Sequence, residues 1–174
     1  MATYHRAKAA RHKDAATQQV LTFELGNETY GFEILRVREI RGWTSVTTIP
    51  QAPPHVLGIL NLRGSIVPVM DLRMRFALEQ AQYTNATVII VLSVHSQAGQ
   101  REVGVVVDGV SDVVDVNVAD IKQPPDLGPN SATDYIRGLV SAGERMTVLL
   151  NVDGLIGTEV AALSGDQQEL APSM

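Results

Sequence analysis

Few side chains in this chain of 174 residues stand at spacings that could do chemistry. There is no cysteine, which excludes thiol catalysis, disulfides and Cys-ligated zinc. His5, His12, His55 and His95 are scattered, and no two share one element at metal-ligand spacing. Neither H-E-x-x-H nor a phosphate-cradling G-x-x-x-x-G-K-[ST] loop is present. Asp108, Asp112 and Asp115 stand among valines and could gather a hard cation. Such cations normally take their ligands from a loop, and alternation along a strand puts acids on its wet face without chemical purpose. Ser65 has no base positioned beside it in the sequence. Arg63 at a hairpin tip and Glu39 at the end of a charged strand are two further candidates. An Arg fork can hold a carboxylate or the backbone oxygens of a partner. For an isolated position, a solvated charge at the end of a β element is the favoured reading of each. No catalytic residue, metal site or cofactor is expected.

The elements around Arg63 are legible. Ile59, Leu60 and Leu62 form one short apolar run, and Ile66, Val67, Val69 and Met70 a second. Arg63-Gly64-Ser65 between them is a tight-turn signal, so the pair reads as a β-hairpin. Pro68 has no N–H to give, which puts its strand at an edge or at a bulge. Asp71 reads as the N-cap of a helix running to about Leu78. Upstream, Val20–Leu25 and Tyr30–Ile34 alternate as half-buried strands across the turn Gly26-Asn27. Residues 36–42 carry charge at alternate positions, so one side faces water. In a regular strand Val37 shares a face with Glu39, and plain core is its other reading. Pro53 to Gly58 reads as a short helical turn, Pro first and Gly last. Downstream, Thr87–Val94 reads as a fully buried strand, and Val103–Val107 and Val110–Val116 as two more. Ile136–Ala142 and Met146–Asn151 read as a hairpin, with Asp153 as cap of a final helix. Residues 122–134 are a Pro-rich loop.

The chain also looks repeated. Gly31 to Ile40 aligns with Gly104 to Val113 at an offset of 73, and Gly58 to Leu72 with Gly138 to Val152 at an offset of 80. A duplication explains this, and so does chance similarity between Val- and Ile-rich strands. The fold class that follows is mainly β: two small five-stranded barrels in tandem, with short helices. The expected boundaries are a basic tail at 1–16, a folded region at 17–163 and a tail at 164–174. One barrel is expected at about 17–82 and the other at 83–157, with strand exchange between them left open.

Three stretches in order resemble the CheW family, the coupling proteins of bacterial chemotaxis. They are Tyr30-Gly31-Phe32-Glu33-Ile34 with Val37, Glu39 and Ile40; Asn61-Leu62-Arg63-Gly64 with Ile66 to Arg73; and Val103 to Val110. The resemblance spans about residues 19–157. It implies two small five-stranded SH3-like barrels packed together and a non-catalytic adaptor in the cytoplasm, associated with membrane-bound receptor arrays. The implied partners are the helical hairpin tip of a chemoreceptor and the regulatory domain of a histidine kinase, with self-association in rings also possible. It further implies that Val37, Glu39, Arg63 and Gly64 belong to the receptor-binding surface. The rivals are a small-molecule-binding or enzymatic β-barrel, and a CheW-like scaffold of a non-flagellar pathway.

Charge and composition agree with a protein-binding role. The net charge is −5, yet the first fourteen residues hold Arg6, Lys8, Arg11 and Lys13 against Asp14 alone. That segment is +3 and the remainder −8. An acidic body argues against nucleic acid. The basic start lacks an apolar face, which favours a disordered tail over a transit peptide. No apolar run approaches the 18 or so residues of a membrane span, so no direct membrane insertion is expected.

Overall fold

The computed structural model describes residues 16–78, 82–96, 99–125, 135–142 and 144–156. The basic segment 1–15, residues 126–134 of the Pro-rich stretch and everything from residue 157 lie outside the described residues. The expected disordered tails fall there, apart from Ala16.

The strands follow the alternation in the sequence. They are Thr17–Leu25 (β1), Glu28–Glu33 (β2), Val37–Gly42 (β3), Val56–Leu62 (β4), Ser65–Asp71 (β5), Val88–Ser96 (β6), Gly99–Val107 (β7), Gly109–Asn117 (β8), Ile136–Ala142 (β9) and Arg145–Leu150 (β10). Helix is scarce: Leu72–Arg75 (α1), a turn at residues 152–156, and 3-10 turns at Ile34–Arg36 and Val118–Asp120. Asp71 caps α1 as expected, accepting from the Arg73 N–H at 2.9 Å. The helix is shorter than expected, because Ala77 takes a positive φ and turns the chain away.

Two five-stranded sheets result, ordered β8-β1-β2-β10-β9 (barrel I) and β3-β6-β7-β5-β4 (barrel II). In barrel II the stretch after β3 reaches back to β4 through paired hydrogen bonds between Thr47 and Ile59. In barrel I the stretch after β8 does the same through Lys122 and Leu139. A division into 17–82 and 83–157 does not describe these sheets. β1 and β2 join β8–β10, while β6 and β7 join β3–β5. The halves exchange hairpins, so strand exchange is built into the fold.

The repeat is present in the register. If β1 to β5 are matched in order with β6 to β10, the two sheet orders become identical. Val69 stands opposite Gly104 in one parallel pair and Leu149 opposite Gly31 in the other. These positions are related by the same offsets, 80 and 73, that the sequence shows. The matched glycines are required by space. A Cβ on Gly31 would sit 2.5 Å from Val20, and one on Gly104 2.9 Å from Ile89.

Pro53 to Gly58 is not a helical turn. A single turn, Val56 N–H to Pro53 O at 2.9 Å, leads straight into β4. Pro-first and Gly-last suits a helix, but this glycine serves a bulge. Gly58 has φ 153° at a shift in the β4–β5 register, and a Cβ there would lie 2.0 Å from Thr47 O. Pro68 lies in β5, which is paired on both sides. It stands opposite Ile59, whose own N–H and C=O are turned to Thr47. Pairing with β7 begins only at Val69, so the missing N–H deprives no partner.

Three cores fill the molecule. Ile89, Val91, Val67, Val69 and Val106 fill barrel II, with Trp43 and Leu60 against them. Val20, Val116, Val140 and Leu149 fill barrel I. The largest cluster lies between the barrels, where Leu21, Phe23 and Phe32 of barrel I meet Ile90, Leu92 and Val105 of barrel II. Ile90 is 0% exposed at its centre. An Ile90→Asp substitution buries an unpaired carboxylate at a cost of several kcal/mol, comparable with the whole stability of a domain. The expected outcome is loss of cooperative thermal unfolding and of the folded circular-dichroism signature. A soluble variant that still melts cooperatively would show that this seam is not central.

Candidate functional site: the barrel II tip and the two joints

The turn carrying Arg63 is set by local chemistry. Arg63 and Gly64 have φ 51° and 88°, the paired positive values of a two-residue hairpin turn that matches strand twist. Asn61 Oδ1 accepts the Gly64 N–H at 2.9 Å and holds the turn closed. Asn61 was not singled out by sequence reasoning, although an Asn three residues before a turn glycine is a recognisable signal. Arg63 then reaches Glu39 at 3.0 Å, with the arginine side chain 76% and the glutamate 26% exposed. Glu39 stands on β3 and Arg63 at the β4–β5 tip, so the pair spans the seam between the two edge strands of barrel II. The structure therefore brings together Glu39, Arg63 and Gly64.

Val37 does not join them in the way a regular strand would allow. β3 carries a bulge at Arg38: Val37 stands opposite Leu92 and Glu39 opposite Val91, adjacent residues of β6. Neighbours on a strand point to opposite faces. Val37 therefore follows Leu92 to the inter-barrel core, where it packs half-buried. Glu39 follows Val91 to the other side. The shared face expected for Val37 and Glu39 is overturned by that one extra residue.

Two charge clusters that the sequence did not single out sit where the chain passes between barrels. At the β7–β8 passage, Arg73 is only 2% exposed. It donates to Asp71 through Nε and Nη2 at 2.9 Å, and to Asp108 through Nη1 at 2.9 Å. Burial works against its charge, but the hydrogen bonds it donates to Asp71 and Asp108 outweigh that and hold the guanidinium above its ordinary value. Burial and then the Asp71 charge push the Tyr83 phenol up, so its hydroxyl stays protonated and donates to Asp71 at 3.0 Å. At the β2–β3 passage, Arg36 pairs with Asp153 and donates to Ser93 O at 2.9 Å. Asp153 also accepts the His95 N–H at 2.8 Å. It does not cap the last helical turn; Asn151 takes that place, accepting from Gly154 at 3.2 Å.

The three strand aspartates hold no common ligand site. Asp108 belongs to the Arg73 cluster, Asp112 accepts its neighbour's N–H, and Asp115 lines a groove on barrel I. Among the described residues no group of three or more His, Asp or Glu could hold a metal. Ser65 is exposed at the hairpin tip. No helix of the described residues is long and apolar enough to cross a membrane.

Residues 19–160 match the family model described as the CheW-like domain. The chain belongs to the CheW family. It is 47% identical over 146 residues to the chemotaxis protein CheW of Klebsiella aerogenes, covering 84% of this chain and 86% of that one. The CheW of Rhizobium meliloti is 37% identical over 151 residues, covering 87% and 95%. The crystal structure of the scaffolding protein TtCheW from Thermoanaerobacter tengcongensis superposes with a TM-score of 0.73 at 28% identity, covering 81% of this chain and 93% of that one. The paired SH3-like barrels are those of the family, and the CheW-like chain is a non-catalytic chemotaxis adaptor, not an enzyme.

The Asp153 carboxyl lies below the ordinary aspartate value: burial alone would raise it, but the Arg36 hydrogen bond and the His95 N–H outweigh that. A folded value below the unfolded one stabilises the fold above the unfolded pKa, near 4, and that contribution is lost as pH falls through the folded value. Asp153→Asn should therefore melt lower than the parent at neutral pH. The gap should shrink as pH drops below about 4. Thermal melts of both proteins across that range check this, and a gap that stays constant into acid would sink the assignment.

Proposed function

We propose that this CheW-family chain couples the cytoplasmic tips of chemoreceptors to a chemotaxis histidine kinase, with Glu39, Arg63 and Gly64 on the receptor-facing surface. The observation that carries the reading is the Arg63–Glu39 pair. It lies at an exposed tip, and an exposed pair contributes only about 0–1 kcal/mol to stability, which makes fold maintenance a poor reason for it. A guanidinium already oriented by a carboxylate is ready to donate to a second oxygen acceptor on a partner. Val37 lies on the inter-barrel side, next to exposed Leu35, so it would meet a receptor helix only through the groove between the barrels.

The kinase side of the proposal rests on a second set of side chains. Ile66 and Met146 are 60% and 52% exposed, and Ile40 and Val113 43% and 44%. Within each pair the residues occupy matching places, one on each barrel. A partner built of similar barrels, whether a kinase regulatory domain or another CheW-like chain in a ring, could dock on either end through the same apolar anchors. The place of the protein is then at membrane-bound receptor arrays. A non-flagellar pathway would use the same surfaces with other partners, and co-purification from the native cell distinguishes the two.

The receptor assignment is tested with Arg63→Ala, Glu39→Ala and the double variant. Melting temperatures should move little. Receptor-tip affinity should fall about tenfold or more, the scale of losing an interface anchor, while kinase affinity is largely kept. If the single variants unfold, the pair is structural. Unchanged receptor affinity in all three would move the contact to the groove beside Val37.

A further inference from the structure

The two barrels are built alike but not filled alike. In barrel II, Trp43 packs against the core and stacks on Tyr83 with ring centroids 4.4 Å apart. The place of Trp43 is taken in barrel I by Val116. Thr22 and Thr147 likewise stand in barrel I where barrel II has Val91 and Val67. With Val116 at the place of Trp43, barrel I is open along its seam. A groove of ≈ 420 Å³ lies there, with Val114, Val116 and Val140 as its apolar lining and Asp115, Asp120 and Ser141 as its polar one.

Three observations say what kind of group belongs in it. The only charged groups lining the groove among the described residues are the two carboxylates, so it favours a cation beside apolar surface. Gln18 stands opposite Val116 in the β1–β8 register and so shares its face. Its Oε1 is buried without a hydrogen-bond partner among the described residues, an acceptor in want of a donor. Finally, the chain enters the fold at this spot. Ala16 O accepts the Val118 N–H at 3.0 Å, and Thr17 stands opposite Asn117, which also lines the groove. Ala16 itself has φ 72°.

We propose that the groove of barrel I is occupied by the chain's own basic N-terminal segment, residues 1–15. That segment carries Arg6, Lys8, Arg11 and Lys13 against Asp14 alone, with Tyr4 and several alanines as apolar matter. Fifteen residues can extend roughly 50 Å, far more than the groove needs. The segment supplies donors to Asp115 and Asp120 and covers the seam that barrel II closes with Trp43. This gives the segment a role that its sequence, lacking any packing pattern, does not show.

The chain lacks cysteine, so Ala9→Cys gives a single site for a nitroxide label on the full-length protein. With the label and ¹⁵N on the same molecule, the amides of Val114, Asp115, Asp120 and Ser141 should broaden selectively. Broadening should be lost in Asp115→Lys/Asp120→Lys and in about 1 M salt, where the Debye length is about 3 Å. Removing residues 1–15 should shift the same amides, and a synthetic peptide of residues 1–15 should restore them. Absence of broadening in the doubly labelled sample overturns the proposal. So does broadening that is as strong when labelled chains are mixed with separate ¹⁵N chains, which would place a second copy's segment in the groove. Neither receptor nor kinase is present in the experiment, so its outcome is independent of the coupling assignment.

Discussion

Two ion pairs close the two places where the chain passes between barrels, and the mutual placement of the barrels depends on them. Exchanging hairpins forces exactly two passages, at residues 34–36 and at Asp108. Each must bring polar backbone against the inter-barrel core. At each, a carboxylate takes one backbone N–H from the opposite barrel's hairpin: Asp108 that of Gly26 at 2.7 Å, and Asp153 that of His95 at 2.8 Å. In the matched register those two N–H groups hold equivalent places. The charges do not. In one joint the arginine stands on the helix and the acid on the passage; in the other the acid stands on the helical turn and the arginine on the passage. Opposite polarity satisfies the same backbone requirement twice while making each half prefer the other over a copy of itself, since two like joints would face arginine with arginine or acid with acid.

The joints differ in depth. Arg73 and Asp71 are almost wholly buried, whereas Arg36 and Asp153 keep part of their surface in water. A buried guanidinium gains little over an apolar side chain in net stability but leaves a large penalty if one partner is removed. Asp71 and Asp108 together satisfy Arg73, and Tyr83 satisfies Asp71 in turn. At the matching place of Asp71 the other joint has neutral Asn151, in keeping with a cation that has water as a further partner. The deep joint lies behind α1, on the same β4–β5 hairpin that presents Arg63. A rigid root for that hairpin is what an orienting surface arginine needs.

What the sequence disclosed follows the range of the interactions involved. Alternation and turn residues are local, so nearly every strand, the Arg63-Gly64 turn and the Asp71 cap were legible from it. The exchange of hairpins was not, because β1 pairs with β8 across some ninety residues and no local pattern marks the partner. Gly58 misled because a bulge glycine and a helix-ending glycine look alike in one dimension. Val37 misled because a bulge at Arg38 shifts register without a Gly or Pro to announce it. Glu39 and Arg63 were found through family motifs, not through spacing, since they meet only when β3 and the β4–β5 tip close one barrel. Arg73 was missed because a buried arginine reads as any solvated one until its two acids are seen.

The repeat explains why asymmetry carries the meaning in this molecule. Positions that serve the fold recur in both halves: the close-approach glycines and the caps at Asp71 and Asn151. Positions that recur only in part are those free to take on a task of their own. Arg63 has no counterpart, since Gly143 stands at its matching place, while Asp112 keeps the acid of Glu39 and spends it on a backbone N–H. Trp43 fills one barrel, and its absence opens the other. On the proposed reading, a molecule with two similar ends binds similar partners at both, and the end with a paired arginine at its tip and a closed seam is the one that tells one partner from the rest.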